Sequence, residues 1–293
     1  PQPTRILMTG LTALRLVIKD GDTFQNAAIV DQLFVPGKPE SMVEVLGWQH
    51  HIVYPAMVDF CESLQRNTNV GLQHFRGSER HLYGRLAHEP KLEFIFQNAM
   101  SALSRANNPL LLEHWDVSRM KHVVDAGGGD ATNAIALAKA NPHLRVTVFD
   151  APSVCEIANK KIAEAELHGR VTTHAGDLFV DAFPSDADCI LFCHLLTIWS
   201  RAKNVSLLRR AHQALAPNGT VAIFNMMAWD NDEGPMTAAL GSPYFLAIAT
   251  GEGMLYAWAE YEQMLNEAGF QKTQRTPLLR DHGLLVGTKM TAT

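Results

Sequence analysis

Short apolar runs alternate with helical stripes through the second half of the chain. An apolar run at residues 122–125 ends in an acid, three glycines follow, and residues 132–140 carry small and apolar side chains at helical spacing. A β-branched run at 146–149 then ends in Asp150. The pattern predicts strand, glycine turn, helix, strand, with Gly127, Gly128, Gly129 and Asp150 at the carboxyl edge of a sheet, where open α/β folds bind ligands. Downstream it predicts a helix over 153–168 and a strand over 171–175 leading into Gly176-Asp177-Leu178-Phe179. Residues 188–196 are continuously apolar, the mark of a strand buried on both faces. A helix over 205–216 and a strand over 220–225 complete an alternation that implies a parallel, Rossmann-like doubly wound sheet. Residues 236–249 read as mostly helical and 260–268 as a helix closed by Gly269. Strands over 271–278 and 283–289, joined by Arg280-Asp281-His282, predict a closing antiparallel hairpin.

The first third lacks that alternation. Residues 4–19 predict a helix running into a turn at Gly21-Asp22, and 23–34 the rest of a small helical or winged unit. A helical stripe over 40–65, interrupted at Gly47 and Pro55, predicts two helices or one kinked helix. Residues 89–105 place Leu92, Ile95, Phe96, Met100 and Leu103 on one helical face, and Asn107-Asn108-Pro109 should end that helix. The first residues open in the middle of a pattern without an initiator Met, so the amino terminus is expected to be truncated.

Composition narrows the classes. The 293 residues are 47% hydrophobic and 19% charged, with a net charge of −5 and no Lys/Arg cluster, which argues against nucleic acid as partner. No apolar run approaches the roughly 20 residues that cross a bilayer, and nothing resembles a signal peptide, so a cytoplasmic location is expected. The four cysteines form no C-x-x-C pair, and no metal site is expected.

The glycine turn is common to many nucleotide folds, and its surroundings choose between them. A pyrophosphate wants a third glycine and no nearby negative charge; here Thr132 takes the third position, and Asp125 and Asp130 flank the turn. Both features favour a cationic ligand. S-adenosylmethionine, with a sulfonium and an ammonium, has that character, and Asp150 suits its ribose hydroxyls.

VVDAGGGDA at 123–131, Asp150, GDLF at 176–179, ALAPNG at 214–219 and EYEQMLNEAGF at 260–270 together resemble the class I S-adenosylmethionine-dependent methyltransferases. More narrowly, residues 40–290 resemble the plant caffeate-type and bacterial antibiotic-biosynthesis O-methyltransferases. The resemblance implies that Asp125, Gly127 and Gly129 line the methionine part of the cofactor, Asp150 and Ala151 the ribose, and Gly176, Asp177, Leu178 and Phe179 the adenine. It places Cys193 and His194 beside the cofactor as well. It also implies a homodimer, with a winged-helix-like dimerisation and substrate-covering region at 1–116 and the cofactor domain at 117–293. In that family the general base is the His of an L-H-D-W segment, and the matching segment here is Leu196-Thr197-Ile198-Trp199. Thr197 stands at the base position, so substitute bases are sought at His51, His50, His282 and His194, in that order. Trp48, Met57, Phe96, Met100, Trp199, Met226, Tyr244 and Phe245 are the candidate lining of a pocket for a flat aromatic acceptor. The activity so implied is methylation of a hydroxyl on a small aromatic or heteroaromatic metabolite, yielding S-adenosylhomocysteine. Carbon or nitrogen methylation is the runner-up, and a non-methylating relative that binds the cofactor is the rival.

Overall fold

The computed structural model describes residues 1–38 and 40–290. The chain opens with α1 (Gln2–Ala13), a hairpin of β1 (Val17–Asp20) and β2 (Thr23–Asn26), and α2 (Ala28–Leu33). The helix expected through residue 19 therefore stops at Ala13. Arg15 sits at φ 60°, which a continuing helix does not allow, and the β-branched Val17-Ile18 pair runs to a turn at Gly21, φ 55°.

α3 (Val43–Trp48) is followed by a π-helical turn, Gln49–Val53, and then α4 (Tyr54–Met57) and α5 (Phe60–Arg66). Gly47 is absorbed in α3, while Pro55, having no N–H to donate, is accommodated by the widened turn before it. A short 3₁₀ turn, Val70–His74, and α6 (Leu82–Leu86) lead to the long α7 (Pro90–His114). That helix passes straight through Pro109, contrary to the expected stop. An interior proline costs roughly 3 kcal/mol, and tertiary contacts offset it: Leu110 and Leu111 are buried, and Arg280 donates to the Ala106 carbonyl at 2.9 Å.

The sheet follows the predicted alternation. β3 (His122–Ala126), α8 (Thr132–Ala140), β4 (Arg145–Asp150), α9 (Pro152–Glu164), β5 (Val171–Ala175), β6 (Cys189–Cys193), α10 (Arg201–Ala214) and β7 (Thr220–Met226) form five parallel strands with their connections. The helical α11 (Met236–Tyr244) widens into a second π-helical turn, Phe245–Ala249, before α12 (Trp258–Ala268), β8 (Gln271–Pro277) and β9 (His282–Thr288). The strand order is β5-β4-β3-β6-β7-β9-β8, with β9 antiparallel to both neighbours. The largely buried β9 takes the inner place, and the polar β8 faces solvent at the edge.

β3 and β6 are buried throughout because helices cover both faces of the sheet. Val124, Ala126, Ile190 and Phe192 point into a core shared with α10 and α12; Val123, Leu191 and Cys193 point into one shared with α7, α8 and α9. Strand order reverses between β3 and β6, so their carboxyl ends open a crevice. Among the described residues no helix is long and apolar enough to cross a membrane.

Candidate active site

The turn after β3 is made of bare backbone and carboxyl groups. Gly127 and Gly129 lie at φ 69° and 59°, the left-handed region that favours a residue without Cβ. A Cβ on Gly127 would stand 2.7 Å from the Leu195 side chain and one on Gly128 2.7 Å from the Asp125 carboxyl, whereas one on Gly129 would meet nothing within 4 Å. Space therefore opens beside Gly129. Asp150 closes the far side: Gly129 N–H donates to its Oδ2 at 2.9 Å and Ala151 N–H to its Oδ1 at 2.7 Å. Burial lifts the Asp150 pKa above its ordinary value, and these two donors work against that lift.

Asp125 is in a different state. It is fully buried, and neither carboxyl oxygen has a hydrogen-bond partner among the described residues. Burial, and then the charges of Asp150 and Asp130, push its pKa up to about 7. Buried Asn133, in the first turn of α8, presents an Oδ1 that is likewise unpartnered. Unpartnered acceptors behind the glycine turn disfavour a phosphate and suit a ligand that brings donors and positive charge, as the amino-acid part of S-adenosylmethionine does. Along the same edge, Gly176 N–H donates to the Asp150 carbonyl at 3.0 Å, and exposed Asp177 accepts Phe179 N–H at 2.8 Å. The positions expected for ribose and adenine thus stand side by side.

At the end of β6, Cys193 is buried, and burial followed by the Asp125 charge raises its thiol well above the usual range. The thiol is uncharged. His194 follows in the left-handed region, φ 53°. Thr197, at the expected base position, is 1% exposed and donates its hydroxyl to the His194 carbonyl at 3.2 Å. The same turn is braced by Asn204 Nδ2, which donates to the Leu196 carbonyl at 2.6 Å, and by the Tyr256 hydroxyl, which donates to the Trp199 carbonyl at 2.7 Å. Thr197 is a brace for the loop, and an aliphatic hydroxyl there takes no proton at neutral pH.

The brace leaves His194 edge-on to His282, ring centroids 5.2 Å apart at 82°. The antiparallel register of β7 and β9 brings this about, pairing His282 with Met226 at the carboxyl end of β7. His282 Nδ1 lies 2.9 Å from the Arg280 carbonyl. A carbonyl only accepts, so Nδ1 carries the proton and Nε2 the lone pair, and Nε2 is buried without a partner among the described residues. Burial, then the neighbouring His282, pushes the His194 pKa down to about 3, and burial lowers that of His282 too. Both rings are neutral at pH 7. His50 and His51, ranked first from sequence, lie exposed on the first π-helical turn, 4.6 Å from each other. Their rings pack edge-on against each other, at 79°.

Of the predicted acceptor lining, Trp48, Met57, Phe96, Met100 and Tyr244 share one cluster. Trp48 stands edge-on to Tyr244 at 5.0 Å, and Tyr244 to Phe245 at 5.3 Å. Trp199 departs from this group and packs on Phe179 at 5.1 Å, beside the adenine position.

Two features were invisible in the sequence. Asn133 carries no motif of its own. Lys161 of α9 donates to Asp130 Oδ2 and Thr132 Oγ1, both at 2.6 Å, and to Ser101 Oγ of α7 at 2.7 Å. Asp130, read from sequence as part of the cation's surroundings, is therefore already neutralised by Lys161.

Comparison with known proteins gives the family and the fold. The family model of the O-methyltransferase domain matches residues 62–271. An L-tyrosine C(3)-methyltransferase of Streptomyces lavendulae is 40% identical over 288 residues, covering 97% of this chain and 79% of that protein. The crystal structure of the S-adenosylmethionine-dependent methyltransferase SibL in its apo form superposes with a TM-score of 0.82 at 42% identity, covering 99% of this chain and 86% of that one. Human N-acetylserotonin methyltransferase in complex with S-adenosylmethionine gives a TM-score of 0.90 at 22% identity over 99% of this chain and 84% of its own. The chain belongs to the O-methyltransferase domain family and is an S-adenosylmethionine-dependent methyltransferase of secondary metabolism.

Proposed function

We propose that the chain methylates a ring carbon of a small phenol, with His282 and His194 as the proton acceptors. The observation that carries this reading is the pair of neutral imidazoles at the ends of β6 and β9, one with a buried lone pair on Nε2. Its support among relatives is the 40%-identical protein named for tyrosine C(3) methylation. A phenol of pKa about 10 is a poor nucleophile at neutral pH until its proton is removed. Removal places electron density on the oxygen and on the carbons flanking it. Methylation at oxygen then needs no further proton transfer, whereas methylation at carbon requires a second, because the ring hydrogen on the methylated carbon must leave to restore aromaticity. Two adjacent neutral imidazoles suit that requirement better than the single histidine of the usual pattern.

The bound cofactor supplies an electrophilic methyl group. Asp125, Gly127 and Gly129 would hold its amino-acid part, Asp150 and Ala151 its ribose, and Gly176, Asp177, Leu178 and Phe179 its adenine. The cluster of Trp48, Met57, Phe96, Met100, Tyr244 and Phe245 would seat the acceptor ring, with Met226 beside the histidines. Alignment of ring and methyl in a dry pocket contributes rate without any covalent help from the chain. Hydroxyl methylation is the second reading, favoured by the description of the family model.

The two readings differ in the fate of a ring hydrogen. With L-tyrosine deuterated at both carbons flanking the hydroxyl as probe, carbon methylation gives a product that has lost one deuterium. A methoxy product keeping both deuteriums would overturn the carbon reading, and no methylation of any phenol tested would overturn both.

We also infer that two copies assemble through residues 1–116, the covering region. α1 has no buried residue, and Ile6, Leu7 and Leu14 are 65%, 59% and 71% exposed. With Ile18, Phe24 and Ile29 they form an exposed apolar surface of the kind that marks an interface. The Ile6→Asp, Leu7→Asp double variant is expected to sediment as a monomer where the parent sediments as a dimer; a monomeric parent would remove the inference.

A further inference from the structure

We propose that Lys161 is a positioning residue that ties the glycine turn to α7, so that the separation of cofactor and acceptor is held through one ammonium group. This rests on the seating of the acceptor against Phe96 and Met100 of α7 and adds to it what fixes that helix to the turn. Phe96 and Met100 stand one helical turn apart in the cluster that would hold the acceptor ring, and Ser101, the next residue, is buried. Lys161 Nζ donates to Ser101 Oγ at 2.7 Å and, at 2.6 Å each, to Asp130 Oδ2 and Thr132 Oγ1. An ammonium has three N–H bonds, and all three are engaged. An ion pair serving stability alone would be complete with Asp130; here a third donor reaches the covering helix.

Counting protons and lone pairs leaves the cluster a single arrangement. Ser101 Oγ accepts from Lys161 and from Arg105 Nη1 at 3.0 Å, which fills both its lone pairs, so its own hydroxyl donates to Thr132 Oγ1 at 2.9 Å. Thr132 Oγ1 accepts from Lys161 and Ser101 and donates to Asp130 Oδ1 at 2.6 Å, an oxygen that also takes Thr132 N–H at 3.1 Å. A polar cluster satisfied in this way is rigid. It brackets Ala131, whose φ of 69° a side chain with Cβ rarely adopts. Asp150 holds Gly129 from the sheet side, and Lys161 holds Asp130 and Thr132 from the α7 side. In-line methyl transfer is sensitive to such a setting, since a misplacement of about 1 Å costs about a hundredfold in rate.

Hydrogen exchange of the full chain, with and without S-adenosylhomocysteine, tests the tie without an acceptor. In the parent the ligand is expected to slow exchange at 127–133 and, by about threefold or more, at 96–105 of α7. In Lys161→Met and in Ser101→Ala it should slow exchange at 127–133 only. A merely structural role would speed α7 exchange with and without ligand alike and leave the ligand-dependent difference in place. Ser101→Ala keeps the Lys161–Asp130 pair, so its Kd for S-adenosylhomocysteine should stay within about threefold of the parent's, and with L-tyrosine as probe its kcat should fall about tenfold. Ligand protection of α7 that survives in Ser101→Ala, or that is missing from the parent, overturns the proposal, as does an unchanged kcat in Ser101→Ala. A parent that leaves every phenol unmethylated would instead overturn the reading of the acceptor, and the exchange result would still decide the tie.

Discussion

Asp150→Ala is expected to weaken the binding of S-adenosylhomocysteine by about a hundredfold or more, close to 2.7 kcal/mol. The carboxylate stands at the end of β4 with Gly129 N–H on one oxygen and Ala151 N–H on the other. Each oxygen keeps lone-pair capacity for a ribose hydroxyl, and hydrogen bonds to a charged acceptor are worth roughly 1.5–3 kcal/mol each. The substitution removes both and also releases Gly129, whose φ of 59° the Asp150 bond helps to hold. Two losses therefore act together, one in contact and one in preorganisation of the turn. Asp177→Ala should cost less, because Asp177 is exposed and one of its oxygens already accepts Phe179 N–H. Isothermal titration of the three proteins reads the difference. An Asp150→Ala affinity equal to that of the parent would remove the ribose from this edge.

Much of this edge could be read before any coordinates, for a definite reason. β3 and β6 are buried on both faces, so their sequences are apolar without alternation, and the glycines and acids that follow them mark the strand ends. What lies at the end of one strand is local information. The closing pair was equally legible as two strands, and their exposure pattern explains in retrospect why the later one lies inside. The failures are all non-local. Pro109 reads as a helix stop because its cost is local, while the burial of Leu110 and Leu111 and the Arg280 contact that offset it come from the rest of the chain. Residues 14–19 read as helix because apolar content alone does not distinguish a helix end from a β-wing. Lys161 reaches Ser101 across 60 positions of sequence, and no periodicity encodes that. The histidines show the same limit. His194 and His282 meet only because β9 runs antiparallel to β7 in a register that sets His282 at its end, which neither stretch of sequence encodes by itself.

His282→Gln should lower kcat by about a hundred- to a thousandfold, the range for loss of a positioned proton acceptor, with the Kd of S-adenosylhomocysteine unchanged. Glutamine keeps much of the volume and a donor for the Arg280 carbonyl but has no nitrogen that accepts a proton, so packing and proton transfer are separated. The pH profile gives an independent check. Burial lowers the His282 pKa, so the free base persists below the ordinary histidine range, and the acid limb of kcat should fall below pH about 6.5. The same shift acts on the fold: the unfolded chain takes up protons near pH 6.5 that the buried rings refuse, so stability declines as pH drops below that value. Circular dichroism at each pH therefore has to show a folded protein before the limb is assigned to catalysis. A kcat in His282→Gln equal to that of the parent would take the proton acceptor away from this ring, and the rate would then come from an acceptor already nucleophilic when it is seated. His194→Gln divides the two proposed reactions further. Carbon methylation uses two proton transfers and should lose rate in both variants, while hydroxyl methylation uses one and should tolerate the loss of whichever ring does not face the phenol.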